Sequence, residues 1–533
     1  MRREPETIPG AVAASLAARP DAEAVVERAR RVTGRELGEL VSASTRAMMA
    51  AGVQPGDRVA IQAPNGLGWI VAALGAQSAG AVLVPINMRF KGAEAAYVLS
   101  ASKASLLVTT IGFLGIDPVA MLGAAGTPLP QLRRIVLLDG SARAREAPKG
   151  VAVESWHVFA ARAREVSTVA QSERRAGVRP GDPSDVLFTS GTTGRPKGVV
   201  MTHGQTVLQF RQWCDFADLR PGDRYLIVNP FFHMFGYKAG WLACLLRGAT
   251  IVPVPVFDVP EVLSLVEKER ITVLPGAPTV YRSILDHRNR KSFDLSSLRV
   301  AVTGAADIPV ALIREMRAEL PFQSILTGYG LTEAGTCTGS RPDDDAETIA
   351  TTAGRAMDGL DIIVADAKGE EVPRGTTGEL LVRGYSVMQG YLDDPEATAA
   401  AIDARGFLHT GDLATMDERG YVRIVGRSKD MLIVGGFNVY PAEVENALLG
   451  HDAIGQVAVF GVPDARMGEV AMAYVVPAAG RSVDADAIIG WARERLANYK
   501  VPRHVVAVAA LPTNATGKVV KDELRARAAA DLA

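Results

Sequence analysis

The stretch Asp185-Val186-Leu187-Phe188-Thr189-Ser190-Gly191-Thr192-Thr193-Gly194-Arg195-Pro196-Lys197-Gly198-Val199-Val200-Met201 organises the reading of this chain. An apolar run enters and another leaves, which predicts strand, tight loop, strand. Gly191, Gly194 and Gly198 let the backbone turn sharply and approach a ligand closely. Thr189, Ser190, Thr192 and Thr193 bring hydroxyls, and the loop brings backbone N–H groups. Together with the charge of Lys197 these can cradle phosphate oxygens. The phosphate loop of the common NTPases ends in Gly-Lys-Ser/Thr and opens a helix. Here Lys197 lies between Pro196 and Gly198, so that motif does not match. Read alone, the stretch also fits a surface turn rich in Thr and Gly.

A chain of 533 residues with 48% hydrophobic residues is long enough for more than one buried core. The net charge of −1 gives no electrostatic footprint for a nucleic-acid partner. No apolar run follows Met1-Arg2-Arg3-Glu4-Pro5-Glu6, so no signal peptide is expected. The longest apolar stretch, 71–86, is interrupted by Gln77 and Ser78 and is too short to span a bilayer. Cys214, Cys244 and Cys337 lack metal-ligand spacing. A cytoplasmic, reduced and zinc-free protein is the expectation.

Along the first 180 residues strand and helix patterns alternate. Gln54-Pro55-Gly56-Asp57 is a turn, Arg58–Gln62 a strand, 66–80 a helix and 81–85 a second buried strand. Such alternation predicts an α/β fold of mostly parallel sheets covered by helices. Asn65 and Asn87 read as turn residues. Beyond the loop, Asn229-Pro230-Phe231-Phe232-His233-Met234-Phe235-Gly236-Tyr237 precedes a helix predicted from Lys238 to Arg247; a lone histidine among aromatics also fits a packed core. Val300-Ala301-Val302-Thr303-Gly304-Ala305-Ala306 is a buried strand whose small end residues allow a flat ring to lie against the backbone. Short strands and glycine turns over 354–391 predict a small β subdomain, placed at about 346–427. Pro441 starts a helix with Glu443 in its first turn.

The order of these segments resembles the adenylate-forming enzymes, the superfamily of acyl-CoA synthetases, luciferases and peptide-synthetase adenylation domains, over nearly the whole chain. The resemblance implies a large N-terminal domain (1–428, phosphate loop 189–198) and a small, mobile α+β C-terminal domain (429–533) turning at Lys429. Leu326-Thr327-Gly328-Tyr329-Gly330-Leu331-Thr332-Glu333 is similar to the family's Tyr-Gly-x-Thr-Glu signature. Tyr329 then stacks on adenine beside Gly330, Gly304, Ala305 and Ala306, Thr332 donates to the α-phosphate, and Glu333 offers a hard oxygen to Mg²⁺. A carboxylate at a helix N-terminus is the other reading of Glu333. Phe407-Leu408-His409-Thr410-Gly411-Asp412 matches the family's His-Thr-Gly-Asp segment, with Phe407 where Trp is commoner. Asp412, and Arg427 of Gly426-Arg427-Ser428-Lys429-Asp430, are implied to hold the ribose. His233, Phe235 and Gly236, with Tyr237 and Trp241, are implied to line the acyl pocket. Gly435 and Gly436 border the CoA tunnel, and Lys518, after Gly517 in Pro512-Thr513-Asn514-Ala515-Thr516-Gly517-Lys518, falls on the catalytic lysine.

The implied activity is a two-step, AMP-forming ligation of a hydrophobic carboxylic acid to coenzyme A with ATP and Mg²⁺, by a monomer or homodimer. The segments 229–240, 293–299 and 435–445 look like one actinobacterial group, the CoA ligases acting on the propanoate side chain of the steroid-derived C/D-ring indanedione. In that pocket Lys238 would reach a ring ketone. Medium- or long-chain fatty-acyl and aryl-acid CoA ligases share most of these motifs. An amino-acid adenylation domain needs a pocket carboxylate, and 229–240 has none. Luciferase chemistry is not separated by motifs. A non-catalytic ATP-binding protein is the distant alternative, against which the presence of both Glu333 and Lys518 counts.

Overall fold

The computed structural model describes residues 6–139, 147–189, 196–304, 308–427, 430–434, 437–464, 466–496, 498–514 and 519–532. The decisive stretch forms its two strands. Pro183–Thr189 pairs antiparallel with Lys197–Thr202, placing Leu187 opposite Val199 and Thr189 opposite Lys197. This hairpin stem lies inside an eight-stranded sheet. On its inner side it joins Val82–Pro85, then Arg58–Gln62, Leu106–Thr109, Arg134–Leu137 and Ala152–Ser155, all parallel. On its outer side Gly390–Tyr391 adds a short antiparallel edge.

A second sheet system carries Arg224–Ile227, Thr250–Pro253 and Glu23–Glu27 on one side and Val300–Gly304, Ser324–Leu331 and Gly335–Gly339 on the other. Val273 bridges Tyr225 and Val300 and so links the two sides. The predicted β subdomain is an antiparallel sheet of Leu360–Ala365, Gly378–Gly384, Leu408–Met416 and Val422–Arg427. Residues 346–351, expected within it, form a helix instead.

The helix expected over 66–80 runs Leu67–Ser78, and all of it except Gly68 is buried. A helix apolar on every side belongs inside a core. Its Trp69 ring meets Phe231, Tyr237 and Trp241 at centroid distances of 5.7, 5.8 and 5.8 Å. The helix expected from Lys238 to Arg247 begins as a widened π-type turn, Tyr237–Leu242, because Gly240 departs from helical geometry (φ −94°, ψ −106°). An α-helical turn, Ala243–Arg247, follows.

From Leu432 onward the chain builds a separate smaller core. Phe437–Val439, Leu432–Val434, Gly468–Pro477, Ile454–Asp464 and His504–Ala507 form its sheet. Phe460 stacks on Tyr474 at 5.5 Å, and the apolar cluster draws only on residues between Leu432 and Ala528. Pro441 opens the helix Pro441–Leu448 with Glu443 in its first turn, as expected. Among the described residues no helix is long and apolar enough to cross a membrane, and the three cysteines are buried and free.

Candidate active site

Parallel strands present ligand sites at their carboxyl ends. Gly304 closes one such strand, opposite Gly328 on the next. Just beyond, the Tyr329 hydroxyl donates to Asp412 Oδ2 at 2.5 Å, and Arg427 Nε donates to Asp412 Oδ1 at 2.9 Å. Asp412 is 5% exposed, so both of its oxygens are satisfied in a largely dry setting. Burial first, and then the charge of Asp412, holds the Tyr329 phenol well above its ordinary range. The segment that carries Asp412 is bent: Gly411 has φ +70°, a conformation glycine adopts without strain. Glu379 on the neighbouring strand holds that bend. Its Oε1 accepts from the Gly411 N–H at 3.0 Å, and its Oε2 lies 2.9 Å from His409 Nδ1. Nothing in the run Gly378-Glu379-Leu380 distinguishes this carboxylate from a surface one; only the strand pairing does.

Glu333 lies on the turn between two antiparallel strands, Ser324–Leu331 and Gly335–Gly339, and not at a helix start. Thr332 precedes it on that turn. Gln209 Nε2 holds the turn by donating to the Ala334 carbonyl at 2.8 Å. Glu333 Oε1 accepts from the Tyr391 hydroxyl at 3.0 Å, and the Lys197 ammonium sits 4.9 Å from the centre of the same ring. Tyr391 therefore stands between the two charged groups, its own phenol raised by burial and by Glu333. The Tyr97 hydroxyl fastens the far flank of the loop by donating to the Pro196 carbonyl at 2.9 Å. Tyr391, Tyr97 and Gln209 are contributors that the motifs did not indicate. Ser190, Gly191, Thr192, Thr193, Gly194, Ala305, Ala306, Lys429, Gly435, Gly436 and Lys518 lie outside the described residues.

The aromatic segment is tied down by Asn65, which is no simple turn residue. Its Nδ2 donates to the carbonyls of Asn229 (3.0 Å) and Val254 (3.1 Å), and its Oδ1 accepts from the Phe231 N–H (2.8 Å). Asn87 is the turn residue expected, accepting from the Arg89 N–H at 2.9 Å. His233 and Phe235 are half-buried, and His233 Nδ1 accepts from the Phe235 N–H at 3.2 Å. A Cβ at Gly236 would stand 2.2 Å from the Pro230 carbonyl oxygen, so this glycine permits the backbone to close on itself. Tyr237 and Trp241 do not line an open wall. Both are fully buried and stacked at 5.0 Å in the Trp69 cluster, where they back the segment from inside. Lys238 does not reach toward a substrate ketone either. It is 1% exposed and its ammonium is bound to Asp185 at 2.8 Å.

A model described as AMP-binding enzyme matches residues 12–392, and one described as AMP-binding enzyme C-terminal domain matches 443–518. The chain is 49% identical to a 3-[(3aS,4S,7aS)-7a-methyl-1,5-dioxo-octahydro-1H-inden-4-yl]propanoyl:CoA ligase of Rhodococcus jostii, covering 98% of this chain and 99% of the relative. It is 49% identical to the ligase of the same name from Mycobacterium tuberculosis, covering 97% and 98%. The crystal structure of the anthranilate CoA ligase AuaEII in complex with anthranoyl-AMP superposes with a TM-score of 0.86 at 27% identity, over 98% of each chain. The fold is that of the adenylate-forming ligases, and the chain belongs to the AMP-binding enzyme family.

Proposed function

We propose that this chain is an acid–CoA ligase that first makes an acyl-adenylate and then an acyl-CoA thioester, with the propanoate of a steroid-derived indanedione as its acid. The observation that carries the first half is the meeting of two groups along one strand and its turn. Tyr329, Asp412 and Arg427 form a site suited to a nucleoside, and Glu333, Tyr391 and Lys197 one suited to polyphosphate. The names of the two 49%-identical relatives support the choice of acid.

In the first step the carboxylate oxygen attacks the α-phosphorus of ATP and pyrophosphate leaves. The acid is already ionised at neutral pH, so no general base is needed. Positioning and charge neutralisation supply the catalysis. Asp412 and Arg427 would hold the ribose, the Tyr329 ring the adenine, Thr332 the α-phosphate, and Lys197 with the loop the outer phosphates. Among the described residues no cluster of three or more His, Cys, Asp or Glu forms a metal cage. One half-buried carboxylate suits Mg²⁺, which dehydrates reluctantly and is commonly held by few protein ligands. Glu333 would hold it, and the ion would neutralise phosphate charge. In the second step the small domain would turn about Lys429, and the CoA thiol would lose its proton and attack the acyl carbon as AMP leaves; Gly435 and Gly436 are the residues proposed for the pantetheine path.

The test is formation of AMP and acyl-CoA with ATP, Mg²⁺ and CoA against the indanedione propanoate, octanoate, palmitate and a cinnamate. Strong preference for the ring propanoate is expected. Preference for a straight-chain or aryl acid would reassign the substrate while leaving the reaction. Lys518→Ala is expected to depress adenylation far more than thioester formation from supplied acyl-adenylate, and equal losses would contradict its role.

A further inference from the structure

Asp185 and Lys238 form a charge pair inside the core, 0% and 1% exposed and 2.8 Å apart. Their other bonds are also internal. The Ser184 hydroxyl donates to Asp185 Oδ2 at 2.7 Å, and Lys238 Nζ donates to Thr206 Oγ1 at 3.2 Å. The Tyr237 hydroxyl, next to Lys238 in the chain, accepts from Gln77 Nε2 at 2.7 Å. Burial drives the Lys238 pKa down while Asp185 draws it back up. A buried ion pair is a poor route to stability, since well-packed apolar residues of similar volume often do as well. Some buried ionic groups instead fix the register between the elements that carry them.

Those elements are the two halves of the adenylation site. Asp185 sits on Pro183–Thr189, the strand that runs into the phosphate loop. It lies four residues before Thr189, about 13 Å along the strand at a rise of about 3.3 Å per residue. Lys238 sits on the π-type turn Tyr237–Leu242, three residues after Phe235 of the acyl segment. Widened turns of this kind recur at functional sites.

We propose that the Asp185–Lys238 pair is a positioning device that fixes the acyl segment relative to the phosphate loop, so that a bound carboxylate meets the α-phosphorus in line. This rests on the adenylate-forming reading above. Neither residue touches substrate. They act through Phe235 at one end and the loop stem at the other, and a shift of about 1 Å in such alignment costs about 100-fold in rate.

The experiment compares wild type with Lys238→Met/Asp185→Leu, which removes both charges together, and with Thr206→Val, which keeps the volume and removes one bond to Lys238. Thermal stability, ATP binding without acid, and acid-dependent ATP–pyrophosphate exchange are measured, the last with the indanedione propanoate and a ketone-free analogue. The double variant is expected to melt near wild type and bind ATP within about twofold. Its kcat for exchange is expected to fall about 100-fold, by the same factor for both acids. A stable double variant with wild-type exchange would overturn the proposal, as would a loss confined to the ketone-bearing acid. If the double variant does not fold, Thr206→Val decides: a fall in kcat of about fivefold with ATP binding intact supports the device, and an unchanged kcat overturns it. Wild-type enzyme that adenylates no acid would instead tell against the ligase reading itself.

Discussion

Asp412→Asn isolates the nucleoside end of the site. In the structure the carboxylate accepts from the Tyr329 hydroxyl at 2.5 Å and from Arg427 Nε at 2.9 Å, and it is 5% exposed. A ribose bound there replaces or shares those donors with its two hydroxyls. Asparagine keeps one acceptor oxygen but turns the other atom into a donor, so one ribose hydroxyl loses its partner. Hydrogen bonds to charged groups are worth about 1.5–3 kcal/mol. Loss of one predicts a fall in ATP affinity of between about 10-fold and about 150-fold at about 1.4 kcal/mol per decade. The assay is titration calorimetry with ATP and with 2′,3′-dideoxy-ATP, supported by exchange kinetics at saturating acid. The dideoxy nucleotide lacks the hydroxyls, so its affinity should change by less than about threefold on the same scale. Equal losses for the two nucleotides would refute the assignment of Asp412 to the ribose and leave it a residue that merely orders Tyr329 and Arg427.

Tyr391→Phe keeps the ring beside Lys197 but removes the hydroxyl that orients Glu333. It should raise the Mg²⁺ needed for half-maximal adenylation about tenfold, with weaker Mn²⁺ binding to the ATP complex as a second readout. His203 is buried, and burial lowers its pKa to about 4 against an ordinary 6.5. The unfolded chain therefore binds the extra proton first. The neutral imidazole's contribution is intact above pH 6.5 and is lost as the pH falls toward 4, by about 3 kcal/mol in all. His203→Gln should flatten the fall in melting temperature between pH 7 and pH 5; an unchanged slope would dismiss this group as its source. Trp69→Ala empties the centre of the aromatic cluster and should cost about 3–5 kcal/mol in denaturant unfolding. A loss below about 1 kcal/mol would mean that the cluster collapses to fill the space.

Much of the site is legible in residue type because its chemistry is local. The two strands read on either side of 190–195, the turn at Asn87 and the proline-led helix at Pro441 depend on neighbours within a few residues. The aromatic segment shows where that legibility stops. Tyr237 and Trp241 look the same in sequence whether they line a pocket or back it, and only their complete burial against Trp69 separates the two. Lys238 is the clearest case, for a lysine beside an aromatic run reads as reaching outward until Asp185 is found beside it.

What the sequence by itself determined is therefore the order of the motifs, the α/β alternation and the chemistry of each candidate group, because these follow from side-chain type and short-range periodicity. What only the tertiary structure decided is who meets whom. Tyr329 finds Asp412 across 83 residues of chain, and Glu333 finds Tyr391 across 58. Glu379 finds Gly411, and Asp185 finds Lys238. Strand register and helix packing set those meetings, and they are sums over many distant contacts that no single stretch of residues contains.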